Sequence, residues 1–160
     1  MINVTYTEKG VLAMTINQIS VFLENKPGQL AEFTRLLEKN QIDMRALSIA
    51  ETQGFGILRL IVDDPYKTVN VVKEAGFICA ITPVLAVEMS DKPGSLVKML
   101  TALGESGINV EYTYAFITRK KDVAYMAFRV NDPEKAIKVL IQNKVRPVAQ
   151  DDLSALFGDK

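Results

Sequence analysis

Histidine is missing from all 160 residues. Its absence removes the usual general base near neutral pH and the commonest metal ligand. Cysteine occurs once, as Cys79. One thiol makes no internal disulfide and fits a reducing compartment. With one cysteine and no histidine the common zinc sites cannot be assembled. Ser-His-Asp and Cys-His catalysis are excluded with them. Charge of a single sign is lacking too, since 19 basic residues balance 19 acidic ones. No broad field therefore points to nucleic acid or to an anionic membrane. No apolar run is long enough to span a bilayer, and no signal-peptide pattern opens the chain. The expectation is a cytoplasmic protein with no metal and no cofactor. Carboxylate or lysine chemistry stays possible in principle, but no convincing constellation of those residues stands out.

What the chain does have is a globular composition, 48% apolar and 24% charged, in a length that suits one domain or two small ones. It also has a recurrence. Asn25-Lys26-Pro27-Gly28-Gln29-Leu30 returns as Asp91-Lys92-Pro93-Gly94-Ser95-Leu96. Each copy follows an alternating apolar run, Ile19, Val21 and Leu23 in one case and Leu85, Val87 and Met89 in the other. Each precedes apolar residues at helical spacing: Leu30, Phe33, Leu36 and Leu37, then Leu96, Met99 and Leu103. The spacing predicts a strand, a turn and an amphipathic helix. The first helix should end near Asn40, which tolerates a left-handed conformation.

Beyond it, Ile42 to Thr52 predicts a second strand, Gln53-Gly54 a turn, and Phe55 to Val62 a third strand. Asp64-Pro65 opens a second helix, since aspartate caps well and proline suits the first turn. Gly76 ends it, and Phe77 to Ile81 is a fourth strand. The series then repeats. Ile108-Asn109-Val110 matches Ile42-Asp43-Met44, Asp132-Pro133 matches Asp64-Pro65, and Val145 to Ala149 supplies the last strand. After the hairpin the offset grows by two residues, because Thr118 to Asp122 is a longer, basic turn.

A repeat of this length is a duplicated domain rather than a solenoid. A βαββαβ unit buries one sheet face under two helices and favours an antiparallel sheet in the order 4-1-3-2, the ferredoxin-like arrangement. The expected class is therefore α+β, two such domains in tandem. Residues 1–13 read as an N-terminal extension, 14–83 and 84–153 as the domains, and 154–160 as a tail. Met14 stands just before the first convincing strand and is a second candidate start. The segment ahead of it is an upstream extension, a remnant added ahead of the native start, or an extra edge strand. The join at Thr82-Pro83 is nearly absent, so the domains should be held close. The tail from Gln150 should be loosely ordered, with Leu153, Leu156 and Phe157 docking. The sheet face away from the helices is semi-apolar, with Phe22, Ile57 and Ile61 in one copy and Tyr125 and Ala127 in the other. It should pack on another sheet or chain, unless these are tolerated surface apolars.

The Pro-Gly turn has a physical use beyond turning. It presents backbone N–H groups at the positive start of a helix, where an α-carboxylate would be held. Gly28 and Gly94 let a ligand approach the backbone. Asn25 or Asp91 offers an acceptor for an ammonium. The plainer reading is a structural turn, which duplication would copy as readily as a site. Asp43 and Asn109 begin the second strand of each copy, far from the helix start of their own domain. Asn109 carries both donors and an acceptor, or is simply a turn residue after Gly107.

The pattern strand, Asn/Asp-Lys-Pro-Gly-x-Leu, amphipathic helix, Gly-Ile-Asn-Val strand resembles the ACT domain. The runs Ile42 to Thr52 and Phe55 to Val62 resemble stand-alone tandem ACT proteins of bacteria and archaea. The resemblance covers Met14 to about Leu153. It implies a ferredoxin-like fold and amino-acid sites between ACT domains, the helix-start loop of one facing the second strand of its neighbour. Asn25 to Leu30 would then complement Asn109 and Val110, and Asp91 to Leu96 would complement Asp43 and Met44. Asp43 departs from the usual asparagine and would repel a ligand carboxylate, though it could take the ammonium. Tyr112, Tyr114 and Met44 either shape the side-chain pocket or simply pack. The expected function is a non-catalytic regulator that binds a free amino acid and forms a homodimer. The alternative is a regulatory subunit docking a separate enzyme of amino-acid metabolism. Membrane and nucleic-acid partners are not expected: a nucleic-acid surface would want more aromatic and basic residues than Phe22, Tyr125 and Arg129 on the first and third strands.

Overall fold

The computed structural model describes residue 10 and residues 13–52, 54–118 and 120–153. The expectations for residues 1–9, Leu156 and Phe157 lie outside these residues. The chain divides into two compact units. Asn17 to Thr82 is the first; the residues from Pro83 onward, with those up to Ile16, are the second. The strands are β1 (Ile16–Glu24), β2 (Met44–Thr52), β3 (Phe55–Val62), β4 (Ile78–Ser90), β5 (Val110–Ala115), β6 (Val123–Val130) and β7 (Arg146–Pro147). The helices are α1 (Gln29–Lys39), α2 (Pro65–Glu74), α3 (Ser95–Glu105) and α4 (Pro133–Gln142). Strand order is β2-β3-β1-β4 in the first unit and β5-β6-β4-β7 in the second. Counted within each unit, both are the expected 4-1-3-2.

Alternation along β1 decides which face is buried. Ile19 pairs with Leu60 and Val21 with Leu58, and all four are fully buried with Phe33 and Leu37 of α1 and Val72 of α2. The second unit repeats this with Leu85 opposite Phe128 and Val87 opposite Met126. They enclose Met99 and Leu103 of α3 and Ile137 and Leu140 of α4. Met14 packs on this second core.

Several boundaries differ from the sequence pattern. β1 begins at Ile16, since Ile16 and Gln18 are buried as well. β2 begins at Met44 rather than Ile42, and a bulge between Met44 and Ala46 shifts the register there. α1 turns left-handed at Gln41 (φ 53°), not at Asn40. Asn40 stays near the helical region and bonds the Leu36 carbonyl through its own amide. The two strands expected on either side of Thr82-Pro83 are one, β4. The last strand is cut to Arg146–Pro147. The segment after it is ordered through Leu153: Gln150–Asp152 forms a 3-10 turn and Leu153 is buried. The sheet face away from the helices is largely covered, with Ile61, Tyr125 and Ala127 buried and Phe22 still 43% exposed.

Candidate functional site

The two Pro-Gly loops have the same backbone. Gly28 (φ 86°) and Gly94 (φ 90°) take the left-handed conformation immediately before α1 and α3. L-residues pay for that conformation, so glycine is required here by the turn itself. A Cβ at either position would meet nothing within 4 Å. The backbone bonds also match: Gln29 N–H donates to Lys26 O at 3.3 Å, and Ser95 N–H to Lys92 O at 3.1 Å.

Helix capping separates these starts from the others. At α2 the Asp64 carboxylate accepts from Lys67 N–H at 2.9 Å, and at α4 Asp132 accepts from Lys135 N–H at 3.0 Å. No side chain caps α1 or α3 among the described residues. Each unit thus has one helix closed by its own aspartate and one whose start carries no side-chain cap. The first N–H of the latter is held by the loop carbonyl, leaving the rest of the first turn for an anion.

Beside the α1 start lies a cavity of about 290 Å³ lined by Asn25, Lys26, Leu30, Ile49, Glu51 and Gly56, among others. Asn25 N–H donates to Gly54 O at 3.3 Å, and its side-chain amide donates to the Glu51 carboxylate at 2.9 Å. The Glu51 carboxylate and the remaining Asn25 oxygen are acceptors an ammonium can use. Lys26 is bound by Glu24, whose carboxyl that hydrogen bond holds below its ordinary range while the Lys26 ammonium is held above its own. Gly56 in the cavity wall cannot enlarge freely, because a Cβ there would lie 3.1 Å from Ile49 Cδ1.

Glu51, Ile49 and Gly56 were not singled out in the sequence pattern. A signal was present. The hairpin after Thr52 puts Glu51 opposite Gly56, the 4-1-3-2 order puts Leu23 opposite Gly56, and a glycine inside an alternating strand marks a close approach.

Asp43 and Asn109 lie elsewhere. β2 runs nine residues from Met44, about 30 Å at ~3.3 Å per residue, and Asn25 sits at its far end. The Asp43 carboxylate is engaged by Arg45, and its N–H donates to Asp63 Oδ1 at 3.0 Å. Asn109 N–H donates likewise to Asn131 Oδ1 at 2.9 Å, and its side chain is exposed. Met44 and Val110 pack on their own cores. Tyr114 is buried, with its ring stacked on Tyr112 at 6.5 Å.

Among the described residues no group of three or more Cys, Asp or Glu side chains could hold a metal ion. Burial pushes the Cys79 thiol up, with Lys73 pulling weakly the other way, which leaves it a poor nucleophile. No helix among the described residues is long and apolar enough to cross a membrane. Tyr125 is buried and presents no ring face to a base.

The comparisons agree with this architecture. Residues 14–157 match the family model described as an ACT domain pair. The crystal structure of protein BT0572 from Bacteroides thetaiotaomicron is 42% identical, covering 89% of this chain and 97% of that one, with a TM-score of 0.82. The ligand-free regulatory subunit of aspartate kinase from Thermus thermophilus is 15% identical over 81% of this chain and 92% of its own, with a TM-score of 0.60. That likeness is one of fold. No functionally curated protein matches the chain. ACT domains typically bind amino acids in regulatory roles. The match over nearly the whole length, on two ferredoxin-like units with matched Pro-Gly helix starts, makes the chain a member of the ACT family, as a tandem pair of ACT domains.

Proposed function

We propose that this chain is a non-catalytic cytoplasmic regulator that binds a free amino acid at its Pro-Gly helix starts. The observation that carries the reading is the open start of α1 beside a cavity with an acidic end and an apolar wall. The α-carboxylate lies on the first-turn N–H groups, and the α-ammonium lies at Glu51 and Asn25. The side chain lies against Leu30, Ile49 and Gly56. A facing ACT domain completes each loop through its second-strand start: Asn109 for the Asn25 loop, Asp43 for the Asp91 loop. With Arg45 on Asp43, the second arrangement no longer repels a ligand carboxylate. The working assembly is a homodimer of chains whose domains are residues 14–83 and 84–153.

Thermal denaturation against each of the twenty amino acids tests this. A ligand at a hundred times its dissociation constant should stabilise the chain by about 2.7 kcal/mol. A flat panel at millimolar concentration removes the reading. Gly28→Asp and Gly28→Asn then locate the site. Both residues tolerate positive φ, but only the aspartate sets a negative charge where the ligand carboxylate would lie. Asn should retain binding and Asp should lose it.

One observation favours a second reading, in which the chain docks a separate enzyme. Phe22 and Phe55 are 43% and 41% exposed with ring centroids 6.0 Å apart. Co-purification of a catalytic chain that Phe22→Ser abolishes, together with a flat amino-acid panel, would select it.

A further inference from the structure

Each unit has a second cleft, on the other side of the Pro-Gly loop, where the first strand's end meets the turn into the fourth strand. In the first unit it holds about 400 Å³ and is lined by Phe22, Glu24, Glu32, Gly76 and Ile78, among others. In the second it holds about 690 Å³. At the matched positions of the second unit, Glu32 is replaced by Lys98, Gly76 by Lys144 and Ile78 by Arg146. The net charge of the lining is inverted between the two units.

Three features argue that the change serves a ligand. Lys144 holds a left-handed conformation (φ 59°) where the first unit uses glycine. The turn itself is set by Val145 N–H reaching back to Leu140 O at 2.9 Å, and the lysine carried on it lines the cleft where glycine offers no side chain. Among the described residues neither Lys98 nor Lys144 is paired with a carboxylate. The acids that also line the cleft are Glu88 and Asp122. Glu88 is already engaged, accepting from Tyr125 and lying 3.7 Å from Lys120. Arg146 is shared with Asp152 at 3.6 Å. The wall is apolar: Met89, Met99 and Val145 line the cleft and belong to the second core. β7 covers β4 only at Val87 and Glu88, so Met89 and Ser90 form an uncovered strand edge beside that wall.

We propose that this cleft in the second ACT domain is a separate binding site for a small organic anion, its apolar body on Met89, Met99 and Val145 and its acid group between Lys98 and Lys144. The site is contained within one domain and is independent of the amino-acid reading of the Pro-Gly loops. A regulator with both sites reads two metabolites, and any coupling between them must be reciprocal.

The test is amide NMR of the full isotope-labelled chain with three probes. 4-Methyl-2-oxopentanoate has the body and the charge, 4-methyl-2-pentanone has the body alone, and inorganic phosphate has the charge alone. Saturable shifts around Lys98, Lys144 and Val145 are expected with the first probe. The ketone and phosphate should bind at least about tenfold more weakly, the worth of one charge-assisted contact. Lys144→Gly, which restores the first unit's residue and relieves the strain, should fold and weaken the oxo acid about tenfold, as should Lys98→Gln on the exposed helix face. The matched amides around Glu32 and Gly76 should not move. Equal binding of ketone or phosphate, non-saturable shifts, or full affinity in both lysine variants would each overturn the proposal. The amino-acid melting panel stands or falls separately.

Discussion

Gly28 and Gly94 hold the same left-handed turn before the same uncapped helix, while the side chains around them have gone separate ways. Beside Gly28, Glu24 holds Lys26 and Asn25 reaches Glu51. Beside Gly94 the matched residues are Ser90, Lys92, Asp91 and Ile117, so neither interaction can be repeated. On the far side of the loop, a cleft edged by Phe22, Glu32 and Ile78 becomes one edged by Glu88, Lys98 and Arg146. Duplication preserved what the backbone requires. It left charge free to drift or to be selected. A shared turn is therefore evidence of a shared fold, and only the surrounding side chains are evidence of a ligand.

The cores give the sharpest contrast to test. The first holds an aromatic pair, Phe33 edge-on to Phe77 at 5.4 Å, where the second has Met99 and Val145. Phe33→Ala should cost about 3–5 kcal/mol and Met99→Ala toward the lower end of about 2–5. Urea unfolding followed by circular dichroism measures both. A smaller loss at Phe33 than at Met99 would show that the aromatic pair is not the tighter packing.

The loops should respond alike. Gly28→Ala and Gly94→Ala should each cost about 1–2 kcal/mol from backbone strain, since an added Cβ meets nothing at either site. Asparagine should cost less at both. Unequal losses would mean that one loop is held by something beyond its own turn. Asp64→Ala and Asp132→Ala, at the capped helices, should each cost about 1 kcal/mol. Each replacement removes a bond of 2.9 or 3.0 Å to a first-turn N–H.

Most of the fold was legible because period and turn chemistry agree. Alternation at Ile19, Val21 and Leu23 fixes the buried face, and Asp64-Pro65 announces its helix. The misplacements fall where neighbours decide. Val145 to Ala149 has strand composition, but only Arg146 and Pro147 pair in register with β4, and Val148 adds a single N–H bond to Ala86 O at 2.8 Å. Gln41 takes the left-handed position because Ile42 N–H must reach back to Leu37 O, at 3.0 Å. Pattern reading also found the Asn25 to Leu30 loop, yet it missed Glu51 and Gly56. Those two reach the loop only through strand register, a non-local property. The cationic cleft was missed for another reason. Lys98, Lys144 and Arg146 sit on a helix, a turn and a two-residue strand, with no spacing that marks them as one group.

The smallest expected effect separates the two sheet faces that lie away from the helices. Tyr125 is buried in the second unit and donates to Glu88, while its counterpart in the first is Ile57. Burial, followed by the hydrogen bond to Glu88, keeps the Tyr125 hydroxyl protonated above the ordinary tyrosine range, against the pull of Lys120. The folded chain therefore retains a proton that the unfolded chain gives up near pH ~10. The stabilisation is complete below that pH and is lost as pH rises from the unfolded pKa through the folded one. Tyr125→Phe should cost about 1 kcal/mol at neutral pH, the worth of one hydrogen bond. Above pH ~10 its stability should converge on that of the parent chain, whose own advantage drains away as the phenol ionises. Ile57→Val, the conservative change at the matched position, should lower stability by a constant amount across the same range. Parallel curves for the parent chain and Tyr125→Phe would mean that the Tyr125–Glu88 contact contributes no pH dependence. The two faces would then differ in shape alone.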